Sequence, residues 1–243
     1  MSVIVAIPAR LESTRFPRKD LADINGHPML WHVFQGVSKA KTVDAIWVVT
    51  DSQEVKELVT SWGGKSLLTS PDCPSGTARI ASVINQLEAD IVINVQGDEP
   101  LIEPEVIERA LDAARTREGD VVTLMTPMKD PAAIADPNRV KVVVDRDGYA
   151  LYFSRSPIPS SGDCFLHLGL YAYTVRFLRS FVRLETTQLE KAERLEQLRI
   201  LEHGYRIRVV EVLSDSWGID TPSDLAAFQT LLERNRVKSV NNG

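Results

Sequence analysis

The stretch that decides the fold covers residues 3–21 and reads V-I-V-A-I-P-A-R-L-E-S-T-R-F-P-R-K-D-L. Its first five residues are apolar and mostly β-branched, which is typical of a strand buried on both faces of a parallel sheet. The loop that follows carries four cations: Arg10, Arg15, Arg18 and Lys19. Because ligands of open α/β sheets bind beyond the carboxyl ends of strands, this position favours a polyphosphate-binding loop over an ordinary solvated basic loop.

Outward from this stretch, apolar strands and amphipathic helices alternate. Further strands are predicted at residues 45–50, 65–69, 91–95 and 120–125. The segments between them repeat apolar residues at helical spacing, as Leu30, Val33, Phe34 and Val37 do. Since strands that alternate with helices favour right-handed crossovers, we predict an α/β fold with a doubly wound, mostly parallel sheet.

The pattern changes in the second half of the chain. Residues 139–145 and 149–153 flank Arg146-Asp147-Gly148, which indicates an antiparallel hairpin. Further predicted elements are an edge or insert strand at 166–173, one long amphipathic helix at 187–203, a strand at 207–213 and a closing helix at about 223–234. We therefore predict a single domain over residues 1–243 with a small antiparallel β insert subdomain at about 150–205.

Composition narrows the class of protein. The chain has 243 residues and a formal net charge of −5, so no bulk attraction to nucleic acid or to an anionic membrane is expected. The two cysteines, Cys73 and Cys164, lack metal-ligand spacing and suit a reducing compartment. No apolar run reaches the length of a membrane span, and no signal-peptide pattern is present. We expect a cytoplasmic protein.

Two aspartates follow predicted strands that are distant in sequence. Asp98 comes after the strand at 91–95, and Asp220 follows the strand at 207–213. Carboxylates at strand ends can meet on one edge of a sheet, and Mg²⁺ prefers one or two carboxylates together with phosphate oxygens. An aspartate ahead of a helix is also often an N-cap, so a purely structural role stays open for both.

The cationic loop and the two aspartates together point to a reaction class. If the loop holds a nucleoside triphosphate and Mg²⁺ bridges its phosphates, a sugar hydroxyl can attack the α-phosphorus while pyrophosphate leaves. Arg10, Arg15 and Lys19 would stabilise the charge that accumulates on the phosphate oxygens. No protein nucleophile is needed, and none is conspicuous, since neither Ser13 nor Cys73 has a histidine neighbour in sequence.

Several sequence blocks resemble one family. Besides the opening loop, the chain contains S-G-T-A-R at 75–79, N-V-Q-G-D-E-P at 94–100, Y-F-S-R-S-P-I-P at 152–159, H-L-G-L-Y-A-Y at 167–173, L-E-Q-L-R at 195–199 and G-I-D-T-P at 218–222. In order and spacing these blocks are similar to those of the CMP-KDO synthetases, the 3-deoxy-manno-octulosonate (KDO) cytidylyltransferases. The resemblance covers nearly the whole chain and implies a fold like that of nucleotide-diphospho-sugar transferases.

The resemblance also implies a role for each matching residue. The residues expected to bind the nucleotide of CTP are Ala9, Arg10, Ser13, Arg15, Lys19, Ser75, Gly76 and Thr77. Those expected to bind the sugar acid are Arg79, Gln96, Arg155, His167, Tyr171, Glu196 and Gln197. Asp98 and Asp220 would bind Mg²⁺, and they would form the catalytic set with Arg10 and Lys19. The implied product is CMP-KDO for lipopolysaccharide synthesis, made by a homodimer that pairs through the insert region.

Three positions depart from the family pattern. The chain has Arg18 where glycine is usual, Asp20 where proline is usual, and Ala78 where glutamate is common. None of these changes removes a predicted phosphate or metal ligand. They leave open whether the sugar is KDO, its 8-amino analogue or another 2-keto-3-deoxy sugar acid.

Two other functions remain as alternatives. A glycosyltransferase on a related fold would normally carry an Asp-x-Asp metal motif at a strand end, whereas Asp98 is followed by Glu99 and Pro100. A noncatalytic nucleotide-binding regulator would have less need of a metal held by two distant elements. Both alternatives predict no pyrophosphate release from CTP and a sugar acid.

Overall fold

The structure is a computed structural model whose described residues are 1–12, 16–116, 119–214 and 218–241, with side chains described as far as residue 232. The strands are β1 Val3–Ala9, β2 Asp23–Ile24, β3 His27–Pro28, β4 Ala45–Thr50, β5 Lys65–Leu68, β6 Ile91–Asn94, β7 Val121–Met128, β8 Lys141–Val144, β9 Ala150–Ser154, β10 Cys164–Thr174 and β11 Ile207–Glu211. The helices are α1 Met29–Val37, α2 Gln53–Ser61, α3 Gly76–Ser82, α4 Pro104–Arg115, α5 Pro131–Ala135, α6 Val175–Phe181, α7 Gln188–Glu193, α8 Gln197–Glu202 and α9 Pro222–Asn241. Short 3₁₀ turns cover Lys19–Leu21 and Ile84–Gln86.

One mixed sheet organises the molecule. Its central order is β11-β7-β10-β6-β1-β4-β5. The neighbours β5, β4, β1 and β6 run parallel, β11 runs parallel to β7, and β10 runs antiparallel to both β6 and β7. The β8–β9 hairpin extends from β10 and supplies the antiparallel insert. The predicted α/β fold, with its mostly parallel sheet and small antiparallel addition, is confirmed.

Both faces of β1 are buried, as its uninterrupted apolar sequence predicts. Val3, Val5 and Ile7 pack into one apolar cluster with side chains of α1, α2 and α4, while Ile4 and Ala6 pack into a second cluster with α3, α6 and α8. Helices therefore cover both faces of the sheet. This arrangement leaves the carboxyl edge of the strands, where β1 and β6 end, open to a ligand.

The strand at 166–173 was predicted as an edge or insert strand, and the edge alternative was wrong. It is the middle of β10, which lies between β6 and β7 at the centre of the sheet. Its Leu168 and Leu170 pack into the first apolar cluster, and Tyr171 and Tyr173 into the second. Since both faces are buried, alternation of apolar and polar residues could not reveal the position of this strand.

The single long helix predicted at 187–203 was also wrong. The segment forms two short helices, α7 and α8, separated at Arg194, whose φ of 55° lies in the left-handed region. Leu195 after the break is buried, whereas Leu189 in α7 is 39% exposed. Only the second half of the segment therefore has a packed apolar face. The break places Glu196 and Gln197 at the start of α8 rather than in the middle of a helix.

The remaining helices differ in smaller ways from the prediction. The structure adds α5 and α6, which were not predicted, and α9 runs to Asn241 rather than ending near residue 234. Across the described part of the chain, no helix is both long and apolar enough to cross a membrane.

Candidate active site

The base of the cationic loop is closed by main-chain and side-chain hydrogen bonds where β1 ends. Arg18 N–H donates to the Leu11 carbonyl at 2.9 Å. Arg10 N–H donates to Asp20 Oδ2 at 2.8 Å. Arg10 and Lys19 both line the cavity at this strand end, and the Arg10 side chain is exposed there. The other two predicted nucleotide ligands in the loop, Ser13 and Arg15, lie outside the described residues.

Asp98 and Asp220 meet at this edge through one cation. The ammonium of Lys19 lies 2.6 Å from Asp98 Oδ2 and 3.2 Å from Asp220 Oδ1. Ile219 N–H also donates to the Asp98 carbonyl at 2.9 Å, which fixes the two segments side by side. Burial disfavours the charge of Lys19, but the two carboxylates outweigh that effect and raise its pKa. The two predicted catalytic aspartates are thus brought together.

Neither aspartate is a helix cap. The helix after Asp98 is α4, and its N-cap is Glu103. At the start of α9, Thr221 Oγ1 accepts the Asp224 N–H at 3.2 Å, and Asp224 Oδ2 accepts the Thr221 N–H at 2.8 Å. Thr221 therefore performs the capping that Asp220 was considered for. The side chain of Asp220 can turn toward Lys19 instead.

This donor set fits a divalent cation that is shared with phosphate. Lys19 acts as a stand-in cation, because its ammonium occupies the place where two carboxylates converge. Within the described segments, no cluster of three or more His, Cys, Asp or Glu side chains is placed to hold a metal. Remaining ligands for Mg²⁺ would be phosphate oxygens and water, which is the usual mode of Mg²⁺ binding.

The turn at Ser75 and Gly76 forms a wall of the cleft beside β1, whereas Thr77 is buried behind this wall with its Oγ1 3.3 Å from the Tyr173 hydroxyl. Ser75 Oγ accepts the Ala78 N–H at 3.0 Å and so caps α3. A Cβ on Gly76 would lie 2.9 Å from Cγ of Pro8, which explains why the residue is glycine. A cavity of about 230 Å³ lies between this turn and the carboxylate pair. The predicted nucleotide residues Ala9, Arg10, Lys19, Ser75 and Gly76 line it.

Arg79 is a buried residue of α3 that supports the wall of the cleft from the side of the protein interior. Its guanidinium, which is only 2% exposed, pairs with Asp51 at 2.7 Å and donates to Thr69 Oγ1. Both partners lie at the carboxyl ends of β4 and β5. Because these contacts occupy the guanidinium, they do not support the sugar-acid contact predicted for Arg79. In the structure, Arg79 links α3 to the ends of β4 and β5.

His167 and Tyr171 lie on one face of β10, as their spacing in the sequence predicted. Their ring centroids are 5.4 Å apart, and Tyr171 stacks on Tyr173 at 5.4 Å. The register of β10 against β7 shifts between Leu168 and Tyr171. At this irregular point Gln96 Nε2 donates to the Gly169 carbonyl at 3.4 Å. Three of the predicted sugar-acid residues therefore come together at one place on the sheet.

His167 is a neutral imidazole. Burial lowers its pKa to about 3. Its Nε2 lies 3.0 Å from Thr123 Oγ1, and that hydroxyl donates to the Leu170 carbonyl at 2.8 Å. Since a hydroxyl has one proton, the tautomer that satisfies both contacts is the one in which Nε2 carries the ring hydrogen and donates it to Thr123. Nδ1 is then a hydrogen-bond acceptor, suited to a hydroxyl rather than to a carboxylate.

Glu196 lies beside Ser75 and Thr77 and also beside Tyr171, one of the residues predicted to bind the sugar acid. Burial raises the pKa of its carboxyl, while hydrogen bonds with the side chains of Ser75 and Thr77 act in the opposite direction. Its Oε2 is buried and has no hydrogen-bond partner among the described residues. Gln197, the next residue, is also buried. A buried acceptor without a partner is costly unless a ligand supplies the missing donor.

Arg155 lies at the end of β9 with its guanidinium directed to main-chain carbonyls. It donates to Pro137 at 2.9 Å and to Glu193 at 2.8 Å. These bonds, with one to the Arg194 carbonyl at 3.4 Å, use three of the five guanidinium N–H donors and leave two for a carboxylate. The contact between Arg155 and that carboxylate stays a prediction.

The two departures from the family pattern in the opening loop have different surroundings. Arg18 has a φ of 57°, the backbone conformation that glycine adopts most easily, and its side chain pairs with Glu54 at 2.6 Å. Glu54 belongs to α2 and does not line the cleft, so Arg18 offers no contact to a sugar. Asp20 is buried and lines the cleft beside Lys19.

Glu99 is a half-buried carboxyl that the sequence did not single out. Burial, followed by repulsion from Asp98, raises its pKa to about 8. Its Oε1 would lie 3.3 Å from a Cβ on Gly169, so it packs against the irregular point in β10. This direction favours the protonated carboxyl at neutral pH. No sequence signal marks it, because a glutamate beside a loop proline is ordinarily exposed.

The pKa of Glu99 predicts a pH-dependent stability difference for Glu99→Gln. Between the unfolded value of 4.5 and the folded value of about 8, the folded protein keeps a proton that the unfolded chain has lost. The free energy of unfolding of the wild type therefore falls as pH rises through this window, relative to the variant. Urea unfolding in EDTA at several pH values measures the difference. Exposed Glu103→Gln is the control, and parallel pH curves for Glu99→Gln and the wild type would contradict the assignment.

Comparison with known proteins identifies the protein family to which the chain belongs. Residues 4–207 match the cytidylyltransferase family, so the chain belongs to that family. Within the family, its resemblance to the CMP-KDO synthetases is confirmed. A relative from Geobacter metallireducens, 3-deoxy-manno-octulosonate cytidylyltransferase, is 46% identical, with 98% of this chain and 100% of the relative covered.

A second relative and a solved structure complete the comparison. A Shewanella protein named 8-amino-3,8-dideoxy-manno-octulosonate cytidylyltransferase is 47% identical, with 93% of this chain and 96% of the relative covered. The structure of a CMP:2-keto-3-deoxy-manno-octonic acid synthetase complexed with CTP superposes with a TM-score of 0.91 at 40% identity, covering 97% of this chain and 100% of the other. These similarities cover nearly the whole chain, including the strands of the sheet.

Proposed function

We propose that the protein transfers CMP from CTP to the anomeric hydroxyl of KDO, with Mg²⁺, and releases pyrophosphate. The observation that carries this proposal is the convergence of Asp98 and Asp220 on Lys19 beside the Ser75 turn. That geometry provides a place for a cation next to a place for a nucleotide. The similarity to KDO cytidylyltransferases over nearly the full length supports the choice of both substrates.

The cations and the α3 turn bind the nucleotide in this proposal. Arg10 and Lys19 contact the triphosphate, with Ser13 and Arg15 as further ligands. Ser75, Gly76 and Thr77 contact the cytosine and ribose. Gly76 lets the main chain of this turn approach Pro8 of β1, where a Cβ would lie only 2.9 Å from Cγ of Pro8.

Asp98 and Asp220 would hold Mg²⁺. Bound there, the ion would neutralise charge on the triphosphate and polarise the phosphorus that is attacked. Lys19 must release at least one of its two carboxylates as the cation binds, and its ammonium is then available to phosphate oxygens. In this proposal the Lys19 ammonium lies between the two aspartates before the substrates bind, and it contacts the triphosphate during catalysis.

The chemical step exchanges two bonds at one phosphorus atom. The anomeric hydroxyl of the sugar acid gives up its proton to solvent water as its oxygen forms a bond to the α-phosphorus, and the bond from that phosphorus to the bridging oxygen of pyrophosphate breaks. His167 Nδ1, Tyr171 and Gln96 orient the sugar through hydrogen bonds, and Glu196 Oε2 accepts a hydroxyl. Positioning two bound substrates in this way contributes on the order of 7–11 kcal/mol to such reactions.

The sugar acid has one specific alternative. The Shewanella relatives are named for the 8-amino analogue of KDO, and their identity of 47% matches the 46% of the KDO relative. The test is pyrophosphate release with each nucleoside triphosphate against KDO, 8-amino-KDO and a sialic acid, in Mg²⁺ and in EDTA. Turnover only with CTP, only with Mg²⁺ and fastest with KDO is the expected result.

Other outcomes would select other functions. Faster turnover of 8-amino-KDO would assign the alternative sugar, and turnover only with UTP or GTP would contradict the cytidylyl transfer. CTP binding without pyrophosphate release would favour the noncatalytic regulator. Sugar transfer from a preformed nucleotide sugar would favour the glycosyltransferase.

The cellular setting is part of the proposal. The product would supply lipopolysaccharide synthesis in the cytoplasm, and the chain would act as a homodimer through the subdomain at about 150–205. Two exposed apolar side chains in this region, Leu151 at 62% and Leu189 at 39%, suit such an interface. Light scattering of the purified protein should give twice the monomer mass, and Leu151→Asp should lower it.

A further inference from the structure

Asp20 is a buried carboxylate with a main-chain partner. It is 5% exposed and lies in the 3₁₀ turn at Lys19–Leu21. Its Oδ2 accepts the N–H of Arg10 at 2.8 Å, at the point where β1 ends and the cationic loop begins. No residue of the predicted site has this role, and the family pattern usually has proline at this position.

The other carboxylate oxygen of Asp20 faces the end of a second strand. A Cβ on Gly97 would lie 3.4 Å from Asp20 Oδ1 and 3.2 Å from the Pro8 carbonyl. Gly97 directly precedes Asp98 and follows β6 closely. The carboxylate is thus enclosed between the ends of β1 and β6, which carry Arg10 and Asp98.

Neighbouring residues of the turn contact the two halves of the site. Lys19 contacts Asp98 and Asp220, while Asp20 contacts Arg10. Arg18 N–H closes the same loop on the Leu11 carbonyl. The 3₁₀ turn at Lys19–Leu21 therefore fixes the distance between Lys19, which contacts the two carboxylates, and Arg10 at the end of β1.

We propose that Asp20 is a positioning residue, which fixes the main chain at Arg10 so that the Arg10 side chain faces the triphosphate. The inference rests on the proposed binding of CTP. Asp20 acts as a hydrogen-bond acceptor for the Arg10 N–H. Its negative charge contributes nothing favourable to anion binding, because it lies beside the site for a polyanion. Burial also raises its pKa to about 6, which agrees with an unfavourable charge.

Two substitutions distinguish the effect of the hydrogen-bond acceptor of Asp20 from the effect of its negative charge. Asp20→Asn keeps an acceptor oxygen for the Arg10 N–H, whereas Asp20→Ala removes it. We expect Asp20→Ala to weaken CTP binding about tenfold, as the loss of the one hydrogen bond that holds the Arg10 main chain implies, and Asp20→Asn to stay within about threefold of the wild type. Isothermal titration of the full chain with CTP and Mg²⁺, without sugar acid, measures binding. In turnover, the effect should raise KM for CTP more than it lowers kcat.

The same strand offers a matched control. Asp44 Oδ2 accepts the N–H of Val3 at 2.7 Å, at the opposite end of β1. Asp44→Ala removes the same kind of bond far from the cleft. It should lower the melting temperature but leave CTP binding unchanged, so a general loss of stability in β1 can be recognised.

The outcomes are distinct. Unchanged CTP binding by Asp20→Ala, or equal weakening by Asp20→Asn and Asp20→Ala, would overturn the inference. A wild type that binds no CTP would instead contradict the proposed function. If Asp20→Ala does not fold, amide hydrogen exchange in the wild type decides: a protected Arg10 amide, with and without CTP, supports the inference, and a freely exchanging one overturns it.

Discussion

Asp98→Asn is expected to lower pyrophosphate release by roughly 10²–10³-fold while the fold is retained, as loss of a metal-binding charge implies. The substitution removes one of the two carboxylates that meet at Lys19. An asparagine oxygen still accepts a hydrogen bond from the Lys19 ammonium, and no core cavity is opened. The melting temperature and the circular dichroism spectrum should therefore stay close to those of the wild type. Initial rates with CTP and KDO over a range of Mg²⁺ concentrations measure the loss.

The control for this variant is Asp112→Asn. Asp112 is on α4 with 71% of its side chain exposed and only a long contact to Arg115, at 4.0 Å. It should turn over at the wild-type rate. Near-normal pyrophosphate release by Asp98→Asn in Mg²⁺ would contradict the metal site, and activity restored by high Mg²⁺ would support a weakened site.

Lys19→Met is expected to have the second large effect, and it acts in two ways. It removes a cation from the triphosphate site, which should lower kcat/KM for CTP about 10²-fold. It also leaves Asp98 and Asp220 without the ammonium between them, which should cost about 1–3 kcal/mol of unfolding free energy. Methionine keeps the apolar stem of the lysine, so packing is preserved.

Mg²⁺ distinguishes the two effects of Lys19→Met. In the variant, the two carboxylates have lost their internal cation, so Mg²⁺ should raise its melting temperature more than that of the wild type. Thermal unfolding with EDTA or Mg²⁺, in the absence of CTP, measures this difference. Lys65→Met, which removes an exposed ammonium 5.5 Å from the ring of Trp47, is the control. Equal Mg²⁺ shifts in the variant and the wild type would show that Lys19 does not occupy the cation site.

The parts of the fold that sequence could predict are those governed by local patterns. The buried run at the start of β1 and the strand β4 were predicted because continuous apolar residues mark central parallel strands. The strand ends then placed Asp98 and Asp220 on one edge, since parallel strands end on the same side. That rule needs no knowledge of side-chain contacts.

Other features depend on tertiary contacts that local patterns do not contain. The position of β10 depends on the return of the chain through the β8–β9 hairpin. The break at Arg194 has no glycine or proline to mark it. Arg79 looked like a cation for a ligand, but Asp51, which is 28 positions earlier, takes up its charge. In the same way, only the structure shows that Asp20 contacts the Arg10 main chain.

The antiparallel direction of β10 has a consequence for how substrate preference can change. Tyr171 is paired with Asn94 at the carboxyl end of β6, and His167 with Met125 on β7. Two of the residues proposed to bind the sugar acid, His167 and Tyr171, thus belong to the strand that leaves the insert, whereas the cation loop, the α3 turn and Asp98 belong to the parallel half of the sheet. Substitutions in the insert and β10 can alter the sugar acid accepted while the nucleotide half keeps its geometry. Selection can therefore act on the two substrates through separate parts of the chain.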